Sequence, residues 1–143
     1  GTIDADKITP ANLDVSISCQ RIARPDGHQV FVEIETTVAL SQTALIDAIR
    51  ATTCYGHLPS GPINAIHIVD QIDPSAHLWS DGSNFALNPD PATNLKTGMG
   101  IVMGDIVLSG TRISFSAYSH NTIRGAAGGL VFLAELVLEQ SLT

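Results

Sequence analysis

Charge is scarce in this chain: Asp, Glu, Lys and Arg make up 15% of its 143 residues, against 44% that are hydrophobic. That balance excludes intrinsic disorder, which needs few apolar residues and many charges. It also leaves little to solvate a whole surface, so part of that surface is expected to lie under another chain or domain. Basic residues are the rarest of the charged ones, 7 Lys and Arg against 14 Asp and Glu, for a formal net charge of −7. They are scattered and form no stripe, which excludes nucleic acid and anionic membrane as partners. The only cysteines, Cys19 and Cys54, are too few and too far apart for a disulfide framework or a zinc site. A reduced, cytoplasmic setting is therefore expected. No apolar run approaches the roughly 18 residues of a membrane-spanning helix, and Gly1 to Asp4 is no signal peptide. The chain opens on Gly1 rather than Met, so a trimmed or added start is expected.

What is present fits one domain over 1–143, long enough to bury roughly 68–70% of its unfolded surface. Residues 1–12 read as a polar lead-in. Leu13, Val15, Ile17 and Cys19 alternate with polar residues, as in a half-buried strand. Pro25, Asp26 and Gly27 supply turn chemistry, and Val30, Val32 and Ile34 then alternate as a second strand. Ser41 is placed to cap a helix in which Ala44, Leu45, Ala48 and Ile49 share one face. Ala65 to Val69 is a short strand, and 70–98 is irregular, a length expected to be functional or covered by a partner. Met99–Val107 and Arg112–Ala117 read as two further strands before a final helix to about Gln140. The sum is an α+β class, a mixed, mostly antiparallel sheet of about five strands with two helices on one face.

Several residues carry candidate chemistry. Arg21 keeps the parity of the apolar face of the first strand, and His28 follows the turn seven residues later, so the two can share one rim. The alternative is a solvated hairpin Arg and a turn His. The stretch Ser119-His120-Asn121-Thr122-Ile123-Arg124-Gly125-Ala126-Ala127-Gly128-Gly129 leads into the last helix, with Asn121 as its expected N-cap. Three glycines there cost about 1 kcal/mol each in a helix interior. They imply close approach by another backbone or a cofactor, or else a tight contact with the sheet. Cys54 with His57 suggests a nucleophile pair, but nothing in the sequence orients His57, and an inert loop thiol is the stronger reading. His67, His77 and His120 match no zinc spacing, His120 being expected to pack or hydrogen-bond locally, and Trp79 is read as an anchor against a partner surface.

Three segments resemble one family. "VSISCQRIARPDGH" at 15–28, "TGMGIVMGDI" at 97–106 and "SHNTIRGAAGGLVFLAELV" at 119–137 resemble aspartate-β-semialdehyde dehydrogenases of the archaeal and fungal branch, in the same order. The resemblance spans about 13–36 and 97–138 and is loose between 50 and 95. It implies the C-terminal substrate-binding and dimerisation domain, with the fold of glyceraldehyde-3-phosphate dehydrogenase-like enzymes. It further implies that Arg21 holds the substrate carboxylate and His28 is the general acid/base. Asn121 would border the cofactor NADP, and the partners would be a second copy, the nucleotide-binding domain and a small-molecule substrate.

Two departures stand out. There is no Asn-Cys element to supply the family's nucleophile, and no Gly-x-Gly-x-x-Gly strand-turn-helix for a dinucleotide. The chain alone is thus expected to be inactive. A stand-alone, non-catalytic dimerising or regulatory module remains an alternative. So does a domain of a related acyl-phosphate reductase such as an N-acetyl-glutamyl-phosphate reductase.

Overall fold

A computed structural model describes residues 2–4, 7–11, 23–52 and 54–141. The expected first strand, with Cys19 and Arg21, lies outside the described residues. The fold is α+β, as expected. Strands β3 (His28–Glu35), β4 (Ile66–Ile68), β5 (Ile101–Ser109) and β6 (Arg112–Ser119) form one sheet in the order β3-β6-β5-β4. The β3–β6 and β5–β6 pairs are antiparallel and β4–β5 is parallel, so the sheet is mixed. The lead-in differs from expectation: β1 (Thr2–Asp4) and β2 (Lys7–Thr9) pair as a hairpin, with Ile3 opposite Ile8.

The parallel pair explains the long irregular segment. Parallel neighbours need a crossover of a dozen or more residues, usually a helix. Here residues 69–100 make that crossing with little regular structure, and they pack onto the sheet as they go. A side chain added at Gly104 of β5 would press on Val69 and Ile72, and one at Gly100 would meet Ser80 and Gly82. The Tyr118 hydroxyl of β6 donates to the Pro74 carbonyl at 3.3 Å. Within the crossover Phe85 is stacked between two imidazoles, His67 at 4.3 Å and His77 at 4.4 Å. Met99, Val102, Met103, Ile113 and Tyr118 are among the buried residues, Val102 and Tyr118 sharing the face that the crossover covers. Beyond Gly104 the β5–β6 register shifts, and Asp105 takes φ 55°, a bulge that twists the strand out of its pairing.

Helix α1 (Gln42–Arg50) starts as the sequence predicts, the Ser41 hydroxyl accepting from the Ala44 amide at 3.1 Å. The last helix differs. It opens with a π-helical turn, Ile123–Ala127, before α2 (Gly128–Ser141). The Glu135 carboxylate of α2 accepts from the Ser60 amide at 3.0 Å and hydroxyl at 2.7 Å, which ties the helix to the 54–62 loop. The same loop wraps the Lys96 ammonium, which donates to the carbonyls of Gly56, Leu58 and Gly61 at 2.5, 3.1 and 2.7 Å.

Candidate functional site

His28 is the first residue of β3, exposed, and paired in register with Ser119 at the end of β6. The turn before it is tightly specified. Gly27 has φ +97°, a region that side-chain-bearing residues rarely adopt, and a Cβ there would fall inside the Tyr118 phenol. The Gly27 amide donates to the Asn121 Oδ1 at 2.9 Å, and the Tyr118 hydroxyl reaches the Asp26 carbonyl at 3.5 Å. The candidate general acid/base thus stands where the sheet end, the turn and the start of the last helix meet. Arg21 lies outside the described residues, so its convergence with His28 rests on the sequence.

The helix start corrects one expectation. Asn121 does not cap the helix; His120 does. The carbonyl of His120 accepts from the Arg124 and Gly125 amides at 3.0 and 3.2 Å. Its Nδ1 accepts from the Thr122 and Ile123 amides at 3.3 and 3.4 Å. Accepting at Nδ1 requires the neutral ring, and burial pushes the His120 pKa below its usual value, with Asp26 opposing weakly. The ring packs edge-on against Trp79 at 4.3 Å. Trp79 thus makes an internal contact and also rests over Gly98.

The three glycines have different causes. A Cβ at Gly128 would strike Met99 Sδ and Ile123, and one at Gly129 the carbonyl of Arg124 in the π turn. Gly125 meets nothing within 4 Å, so its lack of a side chain has no reason among the described residues. Asn121 Oδ1 is engaged by Gly27, and the nearby cation, Arg124, lies over the Phe132 ring at 5.9 Å. Burial lowers the Arg124 pKa from its ordinary value. Sequence reasoning passed over this arginine, whose signal was a lone cation inside a Gly/Ala string.

Cys54 and His57 do not form a couple. The thiol donates to the Ile63 carbonyl at 3.3 Å, while His57 Nε2 bonds Glu139 at 2.5 Å. His67 Nδ1 bonds the buried Ser80 hydroxyl at 3.0 Å, and burial holds its pKa down, Asp81 opposing and His77 adding to the shift. No group of three or more His, Cys, Asp or Glu among the described residues could hold a metal ion. A recess of about 550 Å³ lies on the open sheet around Phe31, Glu33, Asp105 and Ser114 and does not include His28. No helix among the described residues is long and apolar enough to cross a membrane.

No family model matches the chain. Against curated proteins it is 30% identical to the aspartate-semialdehyde dehydrogenase of Archaeoglobus fulgidus, over 99% of this chain and 38% of that protein. It is 28% identical to the enzyme of the same name from Saccharomyces cerevisiae, over 94% of the chain and 35% of the relative. The Methanothermobacter thermautotrophicus enzyme is 26% identical over 97% of the chain and 38% of its own length. The chain therefore spans little more than a third of the relatives it matches.

Proposed function

This chain belongs to the aspartate-semialdehyde dehydrogenase family, and we propose that it supplies the substrate-binding and dimerising domain of such an enzyme. The observation that carries this reading is a match that takes in almost the whole chain yet about a third of each relative. The complete enzyme would reduce an aspartyl phosphate to the semialdehyde and release phosphate, a step in amino-acid biosynthesis. The attacking thiolate and the site for NADP lie in the remainder of the enzyme. Within this chain Arg21 offers a planar fork to the substrate carboxylate. His28 passes protons to and from the reacting oxygen, since imidazole gains and loses a proton near neutral pH.

Dimerisation is the second role proposed. The sheet recess exposes Phe31 (79%), and Val107 beyond the bulge is exposed too, so a second copy laid on this face would cover apolar surface. Stable interfaces bury about 1,600 Å² in total.

The test is enzymatic. Purified chain alone should show no NADP-dependent turnover of aspartate semialdehyde, while the full-length protein should. In that protein Arg21→Lys should chiefly raise the KM for substrate, and His28→Asn should slow turnover by about 10²–10⁴-fold. Turnover by the chain alone, or an unaffected His28→Asn enzyme, overturns the reading. The small share of each relative also suits a non-catalytic dimerising module, and a gene without a nucleotide-binding half in the same frame would decide for it.

A further inference from the structure

We propose that Asn121 is the positioning residue for His28, reaching across the fold to hold the turn that presents the imidazole. The inference rests on the catalytic reading of His28 given above and deepens it.

An asparagine at this place in the sequence is expected to spend its side chain on the first helical amides. His120 has taken that work, its carbonyl and Nδ1 both serving the first turn. The Asn121 carboxamide is left to point elsewhere, and its oxygen accepts from the Gly27 amide, 94 residues away in sequence. That amide belongs to the residue directly before His28.

The backbone at His28 is consequently held from two sides by one short stretch. Its own register is set by Ser119, and its predecessor is set by Asn121. Tyr118 completes the seat: its ring lies under Gly27, and it is buried to 2% exposure. Residues 118, 119 and 121 thus fix the approach to the imidazole, which is itself exposed and has no side-chain hydrogen bond among the described residues. A general acid/base must lie within hydrogen-bond reach of the proton it moves, and a misplacement of about 1 Å can cost 10²-fold in rate. The turn that sets that reach is fastened to Asn121.

Two measurements separate this role from a cofactor contact and from mere stability. The first is deuterium exchange at the Gly27 amide, read on the 23–30 peptide of the full chain. Asn121→Ala should speed exchange by about 5–10-fold, the worth of one neutral hydrogen bond. Asn121→Asp, which keeps an acceptor oxygen, should stay slow. The second is kinetics of the full-length enzyme. Asn121→Ala should lower kcat by about 10–100-fold, with KM for both substrate and NADP unmoved, and Asn121→Asp should restore most of it. Exchange that does not change on Asn121→Ala overturns the proposal, as does faster exchange with an intact kcat. A raised KM for NADP with unchanged exchange assigns Asn121 to the cofactor instead. Should Asn121→Ala melt the protein, Asn121→Ser, too short to reach Gly27, replaces it in both arms. If His28→Asn leaves activity intact, the catalytic reading has failed, while the exchange arm still reports whether Asn121 holds the turn.

Discussion

Tyr118 and Phe31 stand on the same face of one sheet, on neighbouring strands, yet one is 2% exposed and the other 79%. Both are large aromatics in strands of alternating pattern, so their own hydropathy does not separate them. The difference is what passes overhead. The 69–100 crossover lies against Tyr118 through Pro74, whereas nothing among the described residues covers the sheet around Phe31. Helix α2 repeats the contrast: Leu130, Leu133 and Leu138 are exposed on a helix that is apolar nearly all round. Such a helix is ordinarily buried. On this face of the sheet burial follows the reach of the crossover, and apolar surface beyond that reach is where cover from another domain or copy is expected.

The contrast is sharpest in stability. Tyr118→Ala should destabilise the chain by about 3–5 kcal/mol, the usual cost of emptying a buried aromatic site. Phe31→Ala should stay within about 0.5 kcal/mol, as for an ordinary surface change. Urea unfolding of the two variants side by side would break the comparison if the costs were alike.

The next effect tests how the loop at α2 is fastened. Glu135→Ala leaves the Ser60 amide and hydroxyl without their carboxylate, and should cost about 1.5–3 kcal/mol. A shift in unfolding midpoint below a few tenths of that would mean that the loop holds itself.

Acid should loosen the covered region first. Burial lowers the pKa of His67 and of His120 below the ordinary 6.5, so the folded chain binds fewer protons than the unfolded one in that range. Their contribution is complete above about pH 6.5 and is lost as pH falls toward the folded-state values. Melting temperature should therefore drop between about pH 7.5 and about pH 5, and His67→Gln should flatten the drop. A profile that stays steep in that variant would remove His67 from the account.

The smallest expected effect is Leu138→Ser on α2, within about 0.5 kcal/mol in the isolated chain. In the full-length protein the same change should cost more if another domain covers the helix. Equal costs in both settings would show that the exposed stripe is simply tolerated.

Much of this fold was legible in the sequence because local pattern and tertiary outcome agree. Alternation at 30–34 and 112–117 matched strands that pair in register, and Ser41 capped its helix as its hydroxyl allows. The β1–β2 hairpin was missed because a three-residue strand carries too few alternations to show a period. Asn121 was misread as the helix cap and the Trp79 contact went unforeseen for one reason: each has a partner distant in sequence, Gly27 and His120 respectively, and short-range pattern carries no word of it. Of the candidate site, His28 was singled out through resemblance, but its fastening to the helix start was not, since a backbone amide leaves no mark in the sequence.

Lys96 has a consequence for how the chain meets its medium. Its three ammonium hydrogens are matched to three backbone carbonyls of the 56–61 loop, the arrangement in which a bound alkali ion is coordinated. The loop is folded around a cation that the chain carries on its own tether. Its order should then be indifferent to whether the surroundings offer potassium or sodium, and a planar guanidinium could not take the same seat.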